Sequence, residues 1–141
     1  VSAPGDDPAT STYKRYYTFY TGGLDQWLQG ISINKLLTQA NGTTHRLRLN
    51  LMPTPTLNLT VDLYRHIANE KNNLGGNSAL ATLSTLDLGD EVQLTIRWTL
   101  SRRFFLHGIA GIAYPGSAID NAAQGDAKPW TTTQVQLFWG F

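Results

Sequence analysis

Arg46 and Arg48 stand two residues apart in "HRLRLNLM", with Leu47, Leu49 and Leu51 in the alternate places. On a strand, that spacing puts the guanidiniums on one face and the leucines on the other. The arrangement returns downstream. "LNLTVDLYRH" sets Asn58, Thr60, Asp62 and Tyr64 against Leu57, Leu59, Val61 and Leu63. "DEVQLTIRWTL" sets Glu91, Gln93, Thr95, Arg97 and Thr99 against Val92, Leu94, Ile96, Trp98 and Leu100. In "RFFLHGIAGIAY" the apolar ladder is Phe104, Leu106, Gly108, Ala110, Ile112 and Tyr114, which leaves His107 on the other face. "WTTTQVQLFWGF" alternates to Phe141.

The polar ladders hold the residues that could do chemistry. A hairpin centred near Pro55 places Arg48 opposite Asp62, and a shift of two residues pairs Arg46 with Asp62 instead. Either register yields an Arg–Asp pair across two strands. The same logic brings His107 near Arg97. Arg46, Arg48, Asp62, Tyr64, Glu91, Gln93, Arg97 and His107 would thus line one wall. Such a wall, more basic than acidic, suits a conduit that attracts an anionic solute such as an acidic polysaccharide. The competing reading is that these charges only pair with one another and solvate an interior.

Catalysis finds little support. His45, His66 and His107 share no metal-ligand spacing. There is no G-x-S-x-G elbow and no H-E-x-x-H. "PGDDP" and "LDLGD" place acids beside glycine as loop turns do, outside the pattern of a calcium loop. With no cysteine, disulfides, thiolate zinc sites and cysteine nucleophiles are impossible. The expectation is a protein that is not an enzyme and uses no cofactor or metal. A net charge of +1 gives no basic footprint for nucleic acid. Charged residues are 15% of the chain, below the ~25% usual for soluble domains. No apolar run approaches the ~18 residues of a transmembrane helix. The opening "VSAPGDDPAT" has neither the basic nor the apolar region of a signal peptide.

The elements that position these ladders are long. Each alternating segment runs about 9–12 residues, enough for a tilted strand to cross a bilayer. "PTPT" and "TLSRR" leave room only for tight turns, whereas residues 67–89 and 115–129 form long connections rich in Asn, Gly, Ala and Asp. Tight turns at one end and long loops at the other mark outer-membrane barrels, whose short turns are periplasmic. The expected fold is all-β, an antiparallel transmembrane β-barrel in the outer membrane of a Gram-negative bacterium, with the C-terminus periplasmic. Residues 45–141 would supply its strands. Residues 1–44 would form an extracellular loop region, partly folded over the pore, holding a short helix near Ile33–Gln39 or an extra hairpin. The five to seven strands so counted fall short of the roughly eight that close a barrel, so they are expected to be the C-terminal part of a larger one. Trp98, Trp139 and Phe141 fall at the periplasmic ends of outward ladders and Tyr114 at the extracellular end, as an interfacial girdle would. Arg65, outward beyond Leu63, would meet lipid phosphates or solvent. Gly108 would lie opposite Ile96 or Trp98, whose side chain could cover it.

In order and spacing, "PGDDP" with "YKRYYTFY", then "LGDEVQLTIRW", "IAYPG" and the terminal "VQLFWGF" resemble the C-terminal region of the alginate-export family of outer-membrane porins. The pattern departs from that family at "YYTFY", where an acidic-Pro step is expected. The resemblance implies a monomeric barrel in contact with lipid bilayer and lipopolysaccharide, passing a polysaccharide or other polar solute. It also implies that the terminal Phe141 is presented to the outer-membrane assembly machinery. Two rivals differ in class. A soluble, lipocalin-like binder would turn the apolar ladders inward. A barrel enzyme or adhesin would carry its function in the loops 67–89 and 115–129.

Overall fold

The computed structural model describes residues 30–33, 41–72 and 78–140. Five strands follow one another: β1 (Thr43–Thr54), β2 (Leu57–Ile67), β3 (Asp87–Thr99), β4 (Phe104–Pro115) and β5 (Trp130–Trp139). Every neighbouring pair is antiparallel, and the sheet order is the chain order, an open meander. The fold is all-β. Among the described residues, helix is confined to α1 (Ser117–Ala122) and one 3₁₀ turn at Ser78–Leu80. The strands are 10 to 13 residues long, about twice the usual strand of roughly 5–6 residues.

The two ends of the sheet are built differently. At one end, Pro55 and Thr56 join β1 to β2, and Thr99 donates its N–H to the Thr56 carbonyl at 2.8 Å. At this end Leu100 also donates to the Phe104 carbonyl at 3.0 Å, closing the β3–β4 turn. The β1–β2 register slips between Leu51 and Thr54. Pro53 lies there and has no N–H for the ladder.

At the other end the long connections fold on each other. Ala68, Leu80, Leu83, Leu88, Ala118 and Ile119 form a buried apolar cluster, with Ala127 and Trp130 packed against it. Leu88 reaches this cluster through a register shift between His66 and Ile67 in the β2–β3 ladder. Three side-chain contacts tie the two loops and β3: Thr85 Oγ1 to Ser117 Oγ at 2.7 Å, Asn121 Nδ2 to Ser84 Oγ at 2.9 Å, and the Ser117 N–H to Asp87 Oδ2 at 3.3 Å. The helix α1 corrects the reading of 115–129 as plain loop. Six residues give less than two turns, too few for a 3.6-residue period to register. β1 begins at Thr43 rather than 45. The helix expected near Ile33–Gln39, the first-loop motifs and Phe141 lie outside the described residues, apart from Ile33 itself.

Leu83 is 2% exposed in the loop cluster. Leu83→Ala should cost that cluster about 2–4 kcal/mol. Protease cleavage within residues 68–86 should then accelerate while strand content, read by circular dichroism, is unchanged.

Candidate functional site

One face of the sheet gathers polar side chains. Thr60, Asp62, Tyr64 and His66 of β2, Glu91, Gln93 and Thr95 of β3, and His107 of β4 are all buried. Their neighbours in sequence point the other way. β3 shows this most directly because it is paired on both edges. Glu91, Gln93 and Thr95 are 1%, 4% and 6% exposed, whereas Val92 and Leu94 between them are each 38% exposed. Leu47, Leu49, Leu51, Leu63, Val135 and Leu137 continue that exposed apolar surface across the sheet.

The hairpin register aligns Arg48 with Asp62. Arg48 donates from Nε to Asp62 Oδ1 at 2.7 Å and from Nη2 to Oδ2 at 2.8 Å, a bidentate pair. Arg46 Nε also approaches Asp62 Oδ1, at 3.9 Å, and Arg46 faces Tyr64 across the ladder. Asp62 is fully buried, yet the two arginine side chains keep 28% and 40% exposure. One carboxylate thus serves two cations, and the pair presents surplus positive charge to the space above it.

Glu91 is held in a different way. Its Oε1 accepts from the backbone N–H of Ile31 at 2.7 Å and of Ser32 at 3.0 Å. Its Oε2 accepts from Ser32 at 3.2 Å and from Ile33 at 3.0 Å. Three successive peptide N–H groups converging on one carboxylate make an anion nest. Gly30 opens it with φ +77°, and a β-carbon there would fall 2.6 Å from Glu91 Oε2. Gly111 makes the matching room on the sheet, where a β-carbon would fall 2.8 Å from Ile31 Cγ2. His66 Nε2 stands 3.9 Å from Glu91 Oε2, and its ring stacks on Tyr64 with centroids 5.8 Å apart.

Toward the tight turns, Arg97 pairs in register with His107, as its sequence position predicts, and His107 with Gln136. Gln93 Nε2 donates to Thr95 Oγ1 at 3.1 Å. Gln93 Oε1 and Gln136 Oε1 are buried without a protein partner among the described residues. Gly108 aligns with Ile96, not Trp98.

On the exposed face, Trp98, Tyr114 and Trp139 are all open. Trp98 and Trp139 lie at the tight-turn end and Tyr114 at the loop end, as expected. Trp139 stacks on Phe104, with ring centroids 5.7 Å apart and planes 6° from parallel. Arg65, 46% exposed, pairs with two aspartates, Asp87 at 2.9 Å and Asp90 at 2.8 Å.

All eight wall residues expected from the sequence therefore lie on one face. Glu91 differs in role, because its charge is engaged by backbone rather than offered to a solute. Residues 30–33 were missed as a partner of Glu91. The one sequence signal was Gly111, since a glycine inside a strand often marks the close approach of another backbone. No family model, no curated protein and no solved structure matches the chain.

Arg48→Ala leaves the buried Asp62 carboxylate with only the more distant Arg46. Breaking such a pair costs about 3 kcal/mol or somewhat less here, given the partial exposure of Arg48. Asp62→Asn with Arg48→Ala should recover part of that loss. Denaturant midpoints of the single and double variants measure the coupling, and additive losses would show that the pair contributes nothing.

Proposed function

We propose that this chain forms part of an outer-membrane β-barrel channel that passes a polar, anionic solute. The observation that carries the reading is the polarity of β3, with Glu91, Gln93 and Thr95 buried and Val92 and Leu94 open. In water, an exposed aliphatic face costs roughly 25 cal/mol per Å² left uncovered. Against lipid it costs nothing, and the opposite face becomes a wall for solute and water. Strand length, tight turns at one end, long loops at the other and aromatic side chains at both ends of the exposed face support the same reading. A lipocalin-like binder would need the opposite polarity.

A lipid-embedded barrel needs every strand edge paired, so the reading requires strands beyond the five described. The short turns would be periplasmic, and bilayer and lipopolysaccharide would cover the apolar face. The resemblance to alginate-export porins favours an acidic polysaccharide as solute and assigns the terminal strand with Phe141 to recognition by the assembly machinery. Arg46 and Arg48, sharing one aspartate, are the groups best placed to attract an anion, with Arg97 and His107 nearer the tight turns.

Reversal potentials in planar bilayers under a salt gradient test this. Arg46→Ala with Arg48→Ala should shift ion preference toward cations severalfold. Unchanged anion preference in the double variant would remove the arginines from selectivity.

A further inference from the structure

Of the contacts on the polar face, the one between Glu91 and residues 30–33 is hardest to explain as strand architecture. The partners are 58 to 60 residues apart. Every donor is a backbone N–H, so the contact recognises a path of the chain rather than a side chain. Ile31, Ser32 and Ile33 are themselves 1%, 1% and 0% exposed. The sheet is cut back to receive them at Gly111, directly across β3–β4 from Gln93. The segment therefore occupies space above the middle of the polar face, beside the Tyr64–His66 stack.

We propose that the Glu91 carboxylate is the anchor that holds Gly30–Ile33 inside the conduit, and that this held segment sets the largest solute the channel admits. Resting on the channel reading, it adds a positioning residue and a size limit to a charge preference set elsewhere. Glu91 acts through the backbone it binds. It does not select by its charge, because both its oxygens are engaged by N–H groups. Arg46 and Arg48 stand on another strand and keep their own partner, Asp62. Size and charge selection are thus assigned to different residues and should separate on mutation.

The 141 residues contain no cysteine, which allows a test by introduced thiols. Glu91→Ala removes the anchor, and Glu91→Gln replaces one acceptor oxygen with a donor that faces the N–H groups. Both should raise single-channel conductance about twofold or more and admit larger neutral polyethylene glycols, with ion preference nearly unchanged. Ile31→Cys with Gly111→Cys places two thiols where Ile31 Cγ2 already lies 2.8 Å from a β-carbon position. In the Glu91→Ala background, the oxidised pair should restore the wild-type size limit and its reduction should abolish it.

A wild-type full-length protein, with the strands that complete its barrel, that forms no channel would overturn the channel reading itself. If the wild type conducts but Glu91→Ala keeps its conductance and polymer cut-off, the anchor assignment is wrong. It is equally wrong if oxidation of the cysteine pair makes no difference in that background. Should Glu91→Ala fail to fold, the single variant Gly111→Cys, with Glu91 intact, still decides. Gly111→Cys with a bulky thiol reagent should displace Ile31 and raise the polymer cut-off, and an unchanged or reduced cut-off would contradict the proposal.

Discussion

Asp62 and Glu91 lie on adjacent strands with 0% and 1% exposure, and each carboxylate has to be met by fixed donors. An unanswered buried charge costs several kcal/mol, enough to exceed the margin by which most domains are stable. The two are answered differently. Asp62 takes a bidentate guanidinium from the neighbouring strand, which fixes the β1–β2 register. A one-residue slip would send Arg48 to the apolar face and leave Asp62 unpaired. Glu91 takes three peptide N–H groups from a distant segment, which fixes where residues 30–33 lie. One carboxylate therefore sets the alignment of the wall and the other sets what stands in front of it.

These requirements determine the orientation of the whole meander. With period two along each strand, placing Asp62 and Glu91 on one face sends Leu63, Val92 and Leu94 to the other. The apolar side chains must then find a partner outside the sheet, and a lipid phase provides one without further contacts. The loop end resolves its own apolar residues differently. Leu80, Leu83, Leu88 and Ile119 pack into a small cluster between the connections.

The strands were legible because period-two alternation over ten or more residues has few competing explanations. The Arg48–Asp62 pair was legible because "PTPT" restricts the turn and leaves two registers, and the bidentate geometry selects one while Arg46 keeps a longer contact. What escaped follows from the same physics. Helix α1 has six residues, and its buried face is only Ala118 and Ile119. The nest around Glu91 uses backbone donors, which every non-proline residue carries, so "GISI" gives no side-chain clue to it. Arg65 sits on the outward ladder directly across from Asp90, and its second aspartate, Asp87, comes through a bulged register that alternation alone does not show.

The orientation of the two faces is the claim on which the channel reading stands, and β5 offers the simplest place to measure it. Single cysteines at Thr132, Thr133, Gln134, Val135, Gln136 and Leu137, spin-labelled in protein reconstituted into lipid vesicles, report collisions with oxygen, which partitions into lipid, and with a polar nickel chelate, which does not. The account predicts that positions 133, 135 and 137 meet oxygen and exclude the chelate, while 132, 134 and 136 show the reverse pattern or mutual protection from both. Chelate access at 133, 135 and 137 equal to that of the even positions would mean that the apolar face does not lie against lipid, and the account would be wrong.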